Sequence, residues 1–384
     1  MTPANPNPAD WLQRVETLAP WLAARTTQIE AARSLPPEVA ARLAEAGLYG
    51  LLTPHDCGGP ELHVAAFFEV IERLARADAA SAWCAFISST AGVLAAYMPP
   101  AEAATLFGRP GVRLAGVFAP RGLAEAAQQD GVSGWRVQGR WAWGSGVANA
   151  HFVSGGCRLA GSEGRTLSLI FERHQVQWLD NWHSLGLCGT GSGEFEVNDA
   201  FVPATRAADL FAPPQQAGPL YRFPVFGLLA LGIAAVSAGI ARSAIQALVE
   251  LAATQRPPDS RRTLAERPRV QAEVAQAEAE LRSARAFVLE AVHAAWAAAE
   301  QGGAMPVERR RDLRLAATHL VHSAAEVASR MYGAGGGAAL MLASPLQRCL
   351  RDVNVATQHL MVADSSWELA GRLLLGLPTA HEML

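Results

Sequence analysis

The sequence predicts a mainly helical protein with a central β domain. Three observations carry that prediction. Helical periodicity runs through residues 9–110; short β-prone runs broken by glycines begin near residue 112; and four long helical patterns fill the chain from 223 onward. The boundaries read as an N-terminal helical domain over 1–111, a small β-barrel domain with its linker over 112–222, and a C-terminal four-helix bundle over 223–384. At 384 residues the chain is long enough for two or three domains and a large core.

Trp11 to about Ala31 reads as one helix, and Pro36-Pro37 start another that Gly47 ends. Thr53 to Pro60 reads as a loop. Leu62 to Ala77 is amphipathic, with Phe67, Val70, Ile71 and Leu74 at helical spacing. Asp78 and Ser81 are capping residues for an apolar helix from Ala82 to about Met98. Pro99-Pro100 open a short helix ending near Phe107.

The β-prone runs are Val112–Phe118, Gly134–Val137, Ala150–Ser154, Thr166–Phe171 and Gly193–Val197. Their spacing predicts a small antiparallel sheet or barrel. A polar linker with prolines, 203–222, leaves it. Candidate bundle helices span 225–254, 268–301, 306–332 and 345–375. The joints are a polar stretch at Arg256–Glu266, the pair Gly302-Gly303, and Gly333–Gly337.

Composition excludes several classes. The net charge is −3, and no basic run interleaved with aromatics appears, so no nucleic-acid partner is expected. The five cysteines, at 57, 84, 157, 188 and 349, lack CxxC spacing and suit a reducing cytoplasm. The start of the chain has no signal-peptide pattern. One uncharged stretch, Phe223 to Ala241, resembles a membrane span, and no second one is read. A buried central helix of a soluble bundle fits it better than an anchor. No HExxH occurs, and His151, His174 and His183 are too irregularly spaced for a metal site.

Three constellations could carry chemistry. In the first, Ser344 is a natural N-cap and Pro345 a natural first helical residue. Leu346, Leu350, Val353 and Leu360 form an apolar stripe. On a continuous helix Asp352 and His359 lie two turns apart, about 10 Å, on one face. Arg348 and Asp352 form an i, i+4 pair, with Arg351 beside them. An ion pair holding the bundle with a surface histidine is the plain alternative. Histidine remains the side chain best suited to proton transfer near neutrality. The second is Trp141-Ala142-Trp143-Gly144-Ser145-Gly146, where two tryptophans on one strand face could form a platform for a flat ring. Ser145 offers a hydroxyl and a backbone N–H, although aromatic strand residues are more often core. The third, Gly333–Gly337, could present backbone N–H groups to a phosphate or could simply be a tight turn.

The order of domains then meets specific residues. Ala44-Glu45-Ala46-Gly47-Leu48-Tyr49, Leu52-Thr53-Pro54 with Cys57-Gly58-Gly59, Leu74–Asp78, Gly116–Pro120, Gly139–Gly146 and Arg351-Asp352 together resemble the acyl-CoA dehydrogenase superfamily. The resemblance covers about residues 15–384. It is nearer to the flavin-dependent monooxygenases of that fold, the oxygenase components of two-component hydroxylases. The dehydrogenases place a glutamate base shortly after the Arg-Asp pair or in the first bundle helix. Here Val355–Leu360 holds no carboxylate, and Leu228–Ala241 is uncharged.

The resemblance implies the following expectations. His359 is the catalytic base, and Ser145 joins the catalytic machinery. Trp143 and Ser145 contact the flavin near ring nitrogen N5, with Gly335, Gly336 and Arg351 as further cofactor contacts. Trp83 and Phe86 line the substrate pocket together with the 225–241 helix. The cofactor is reduced flavin, FMN ahead of FAD, supplied by a separate reductase. Molecular oxygen is co-substrate, and a C4a-(hydro)peroxyflavin hydroxylates a small aromatic or apolar substrate. A cytoplasmic homotetramer without metal completes the picture. The alternatives are an acyl-CoA dehydrogenase or oxidase with a displaced base, and a non-catalytic flavin-fold binding subunit.

Overall fold

A computed structural model describes residues 7–162, 164–256 and 260–384. The proline-rich start of the chain, through residue 6, and residues 257–259 of the polar joint lie outside the described residues. The chain divides into two compact units. One comprises Met1–Phe67, Ala80–His183 and Cys188–Val225; the other comprises Phe68–Ala79, Ser184–Leu187 and Phe226–Leu384.

The first unit opens with α1 (Pro8–Ala23), α2 (Thr26–Ala32) and α3 (Pro37–Glu45). The single helix expected from Trp11 to Ala31 is therefore two. At the break, the Thr26 hydroxyl donates to the carbonyl of Ala23 and satisfies a group that a continuous helix would have bonded itself. After α4 (Val64–Ala77) comes α5 (Ala79–Ala91), which starts directly behind Asp78 and continues as a 3₁₀ turn, Gly92–Tyr97. Gly92 lies so close over Thr53 that a Cβ there would sit 2.8 Å from its hydroxyl. The short helix α6 (Pro100–Phe107) is where its two prolines place it.

The sheet contains β1 (Leu114–Gln129), β2 (Val132–Trp141), β3 (Phe152–Leu159), β4 (Thr166–Glu172), β5 (Gln177–Trp178), β6 (Phe195–Pro203) and β7 (Ala207–Ala208). The strand order is β5-β6-β2-β1-β3-β4-β7, so β5 and β7 form its edges. The expected antiparallel sheet or barrel is thus a mixed sheet. Strand β1 is long enough to pair antiparallel with β2 through Leu123–Gln129 and parallel with β3 through Leu114–Ala124. A parallel β1/β3 pair turns the β2-to-β3 connection into a crossover rather than a hairpin. That connection carries Trp143 and Ser145.

Trp141 ends β2 and is fully buried. Its ring stacks on Phe195 at 5.0 Å, and its Nε1–H donates to the Gly156 carbonyl at 2.9 Å. Gly122, Gly139 and Gly155, one from each of three adjacent strands, form its slot. A Cβ at any of them would come within 2.5–2.8 Å of the indole. These three glycines seat one large ring.

The second unit contains α4 from Phe68 on and the helices α8 (Val225–Thr254), α9 (Pro268–Gln301), α10 (Val307–Gly335), α11 (Pro345–Thr357) and α12 (Ser365–Leu374). A short α7 (Pro219–Arg222) precedes them in the first unit. Every residue of α8 from Gly227 to Ala241 is buried, which is why this stretch is apolar all round. Among the described residues two stretches are long and apolar enough to cross a membrane, not one. They are Ala79–Tyr97 and α8, in which 94% and 83% of an apolar 18-residue window are buried. Arg285 on α9 bridges Glu72 and Glu69 on α4, and Arg242 on α8 pairs with Glu278 on α9.

The fourth bundle helix is broken. Ser344 caps α11 and Pro345 opens it as expected, but α11 stops at Thr357. There the Thr357 hydroxyl takes the Asn354 carbonyl and the Asn354 side chain takes that of Leu350. Side chains compete with the backbone ladder and help end the helix. His359 follows in a turn, its carbonyl accepting from the N–H groups of Val362 and Ala363. It does not share a helical face with Asp352. The Gly333–Gly337 joint also differs, because α10 continues through Gly335 and the chain turns at Gly336, φ 58° and ψ −143°.

Candidate functional site

In the first unit the β2-to-β3 crossover holds Trp143 at φ 65°, a left-handed conformation that costs free energy for a bulky residue. Its side chain is 71% exposed. Trp141 and Trp143 therefore form no shared platform: one is core, and the other points out of it. The loop is fixed by Gly144 N–H donating to Gly193 O at 2.8 Å and Gly146 N–H donating to Thr190 O at 2.9 Å. The Ser145 N–H is used as well, by Trp143 O, so Ser145 offers its hydroxyl and not its amide.

That hydroxyl sits in a buried polar chain. Trp83 Nε1–H donates to Ser145 Oγ at 3.0 Å. Ser145 Oγ pairs with Ser192 Oγ at 2.6 Å, and Ser192 with Thr190 Oγ1 at 2.6 Å. An indole N–H can only donate, so Ser145 accepts from Trp83. Trp83 in turn meets Phe86 edge-on, centroids 5.0 Å apart, and both rings are buried. An outward-facing indole on a strained backbone beside a positioned hydroxyl suits a flat, polar-edged ring such as a flavin.

In the second unit His359 is half-buried, and its ring is densely surrounded. Its Nδ1 accepts from the Met361 N–H at 3.2 Å. Burial and the nearby Arg314 charge push its pKa down to about 4. Arg314, on α10, is itself buried, and burial lowers its pKa to about 10. Its Nη2 donates to Met361 Sδ at 3.1 Å and also to the Met383 carbonyl.

Arg351 and Asp352 hold the chain's 184–187 segment. Arg351 Nη1 donates to Leu185 O at 2.8 Å and its Nε to Gln347 Oε1 at 2.7 Å. Asp352 Oδ1 accepts from Leu187 N–H at 2.6 Å. Gly186 approaches the α11 backbone so closely that a Cβ would fall 2.4 Å from the Arg351 carbonyl. Gly335 is buried against Leu346, whereas Gly336 is open, with nothing near its absent Cβ. A shallow polar groove of about 530 Å³ opens between His322, Glu326, Asn354 and Asp364. It is too polar for an apolar ring.

Sequence reasoning missed Ser192, Thr190, Arg314 and Met361. The alternation Gly189-Thr190-Gly191-Ser192-Gly193 was a legible signal for the first two. Helical phase was the signal for Arg314, which shares its face with Ala317, Val321 and Ala328, all buried.

Residues 15–102 match the acyl-CoA dehydrogenase N-terminal domain, and residues 231–364 match its C-terminal domain. The indole-3-acetate monooxygenase of Pseudomonas putida is 33% identical over 358 residues, covering 92% of this chain and 90% of that protein. The chain belongs to the acyl-CoA dehydrogenase superfamily. The crystal structure of the HsaA monooxygenase of Mycobacterium tuberculosis superimposes with a TM-score of 0.90 at 26% identity, covering 98% of this chain and all of that one. XiaF from Streptomyces sp., solved with FADH2 and glycerol, gives 0.88 at 26% identity over 97% and 96% of the two chains. Within the superfamily this protein is a flavin-dependent monooxygenase. It acts on a small aromatic or apolar substrate with molecular oxygen, and a separate reductase supplies reduced flavin.

Proposed function

We propose that this monooxygenase hydroxylates an indole- or phenol-like substrate, with Trp143 and Ser145 holding the flavin ring and His359 serving the reacting oxygen. The observation that carries the reading is the buried Trp83–Ser145–Ser192 hydrogen-bonded chain set beside the exposed Trp143 ring. Bound reduced flavin supplies the electrons that activate oxygen. Trp143 gives the ring a face to stack on, and the Ser145 hydroxyl, backed by Ser192 and Thr190, fixes the ring's polar edge. Gly336, open on its Cβ side like Gly337, is where a phosphate can approach the glycine run, beside the packed Gly335. Arg351 is held by Gln347 one turn earlier on α11 and adds a positive charge that would favour a phosphate. Trp83 and Phe86 give α5 an aromatic, substrate-selecting character.

Indole-3-acetate is the first substrate to test, because the relative from Pseudomonas putida is named for it. The assay mixes anaerobically reduced flavin, the protein and substrate with oxygen, and measures product against released peroxide. Coupled hydroxylation is expected. Quantitative peroxide release with every indole and phenol tried would overturn the reading. Ser145→Ala is expected to lower the product-to-peroxide ratio by about 10-fold or more, and an unchanged ratio would remove Ser145 from the machinery. The residues proposed here read the ring and one phosphate, which both flavins carry, and not the adenylate, so FMN is expected to support turnover as well as FAD. Strict dependence on FAD would show that the adenylate is also recognised.

The proposed assembly is a cytoplasmic homotetramer. Leu340, Met341 and Leu342 are consecutive and 65%, 66% and 83% exposed, and Leu374 and Leu375 are 60% and 77% exposed. An apolar run of this kind on a water-soluble surface is the usual mark of a subunit interface. All five cysteines are free, which suits the reducing compartment. Light scattering is expected to give four times the chain mass. A charge placed in this run, Leu342→Glu, is expected to shift the mass downward.

A further inference from the structure

We infer that Arg314 and the Met361 amide fix His359 as a neutral imidazole carrying its hydrogen on Nε2, so that it donates a hydrogen bond to an oxygen atom and does not remove a substrate proton. This rests on the monooxygenase reading above for its chemical meaning, but not for its physical basis.

A backbone N–H is only a donor, so the Met361 N–H at 3.2 Å requires a bare Nδ1. The neutral ring must then carry its hydrogen on Nε2. Turning the ring over would set a C–H against that amide. Met361 is buried, and His359 Nδ1 is the acceptor its N–H finds; a buried N–H without an acceptor is costly.

The electrostatics agree. Arg314 is 3% exposed, and among the described residues no carboxylate pairs with it. Its Nε has no partner, and its Nη2 is met by a thioether and a carbonyl. A buried guanidinium held this way keeps its full charge, which disfavours a second cation nearby. Met361 links the two residues physically, its sulfur to Arg314 and its amide to His359.

Three other titratable groups on the surrounding helices bond to backbone groups away from His359. On α10, Arg310 bonds the carbonyls of His381 and Glu382, and His322 Nε2 meets the Val362 carbonyl. On α11, Asp352 bonds the Leu187 amide. Asp364 precedes α12, and Glu382 lies in the C-terminal segment. Of all these charges, Arg314 is the one that displaces the His359 proton equilibrium, and burial acts in the same direction.

The consequence concerns the reaction. A general base needs an open lone pair toward the substrate. In this tautomer the lone pair lies on Nδ1, turned to the protein's own backbone. The other ring nitrogen bears hydrogen, so it can steady a developing negative oxygen. The base role implied by the family resemblance is thereby replaced by a donor role. Arg314 is a positioning residue: it acts through His359 and not by touching substrate or flavin.

The test uses the intact protein labelled with ¹⁵N-histidine, without flavin or substrate. The chain has ten histidines, and loss of signal in His359→Gln identifies the one in question. The expected wild-type spectrum shows His359 with a bare Nδ1 and a protonated Nε2, unchanged between about pH 5.5 and 8. Arg314→Lys keeps the charge and should keep that spectrum. Arg314→Met removes the charge and should raise the His359 titration midpoint by about one unit or more. A wild-type His359 that titrates near its ordinary value, or that carries hydrogen on Nδ1, overturns the inference. So does an Arg314→Met protein whose His359 is unmoved. Should that variant not fold, the wild-type and Arg314→Lys spectra still decide. Because no turnover is measured, failure here leaves the monooxygenase reading standing, and failure to hydroxylate leaves this result standing.

Discussion

Replacing His359 with alanine is expected to lower coupled product formation by about 100- to 1,000-fold, with oxygen consumption diverted to peroxide. The size follows from losing one positioned donor at a charge-developing oxygen. Rapid-mixing product analysis checks it, and a variant that stays fully coupled would show that His359 stands outside the chemistry. The pH dependence has a defined sign. The folded-state pKa of about 4 lies below the ordinary histidine value of 6.5. His359 is therefore neutral throughout the range where such an enzyme is assayed, and its titration should contribute no acid limb above about pH 5. The same shift bears on stability. The unfolded chain takes up this proton near 6.5 and the folded one only near 4, so acid between those values favours unfolding. The contribution is complete above 6.5 and is lost as the pH falls through the window. Its ceiling is on the order of 3 kcal/mol.

Trp141→Ala is expected to destabilise the first unit by about 3–5 kcal/mol, read as a lower urea midpoint by near-UV circular dichroism. The ring's slot is floored by Gly122, Gly139 and Gly155, which have no side chains to fall into the space left behind. The Gly156 carbonyl also loses its buried partner. The cavity therefore persists, and the cost belongs at the upper end of the range. Trp143→Ala, two residues on, should leave the midpoint almost unchanged, since that ring is 71% exposed. Flavin affinity should respond in the opposite way, with Trp143→Ala weakening it. If both substitutions destabilise equally, the division between a core ring and an outward ring fails.

Much of the helical framework was legible because its signals are local. Ser344-Pro345 marks the start of α11, the paired prolines start α3 and α6, and the apolar spacing of Phe67, Val70, Ile71 and Leu74 marks α4. These depend on capping groups and burial period within a few residues. The break after Thr357 was less legible, because it depends on which carbonyls two ordinary polar side chains take. The parallel β1/β3 pair was not legible at all, since a strand's partner is chosen by distant chain and not by its own composition. The same limit explains the two tryptophans. Trp141 and Trp143 are equivalent in alternation and chemistry, and the glycine slot on β1, β2 and β3 makes the first of them core while the left-handed loop after β2 turns the second outward.

The sequence by itself determined the order of helical and β segments, the absence of a carboxylate at Val355–Leu360, and His359 and Ser145 as the residues to watch. Those are matters of residue type and short spacing. Tertiary structure decided what each of them can do. Ser145 became a hydroxyl without a free amide because its N–H was taken by Trp143 and its oxygen by Trp83 and Ser192. His359 acquired its proton state from burial, from Arg314, 45 residues earlier in the chain, and from an amide two residues ahead. Residue identity fixes which protons and lone pairs exist, and packing between distant segments fixes which remain available and at what charge.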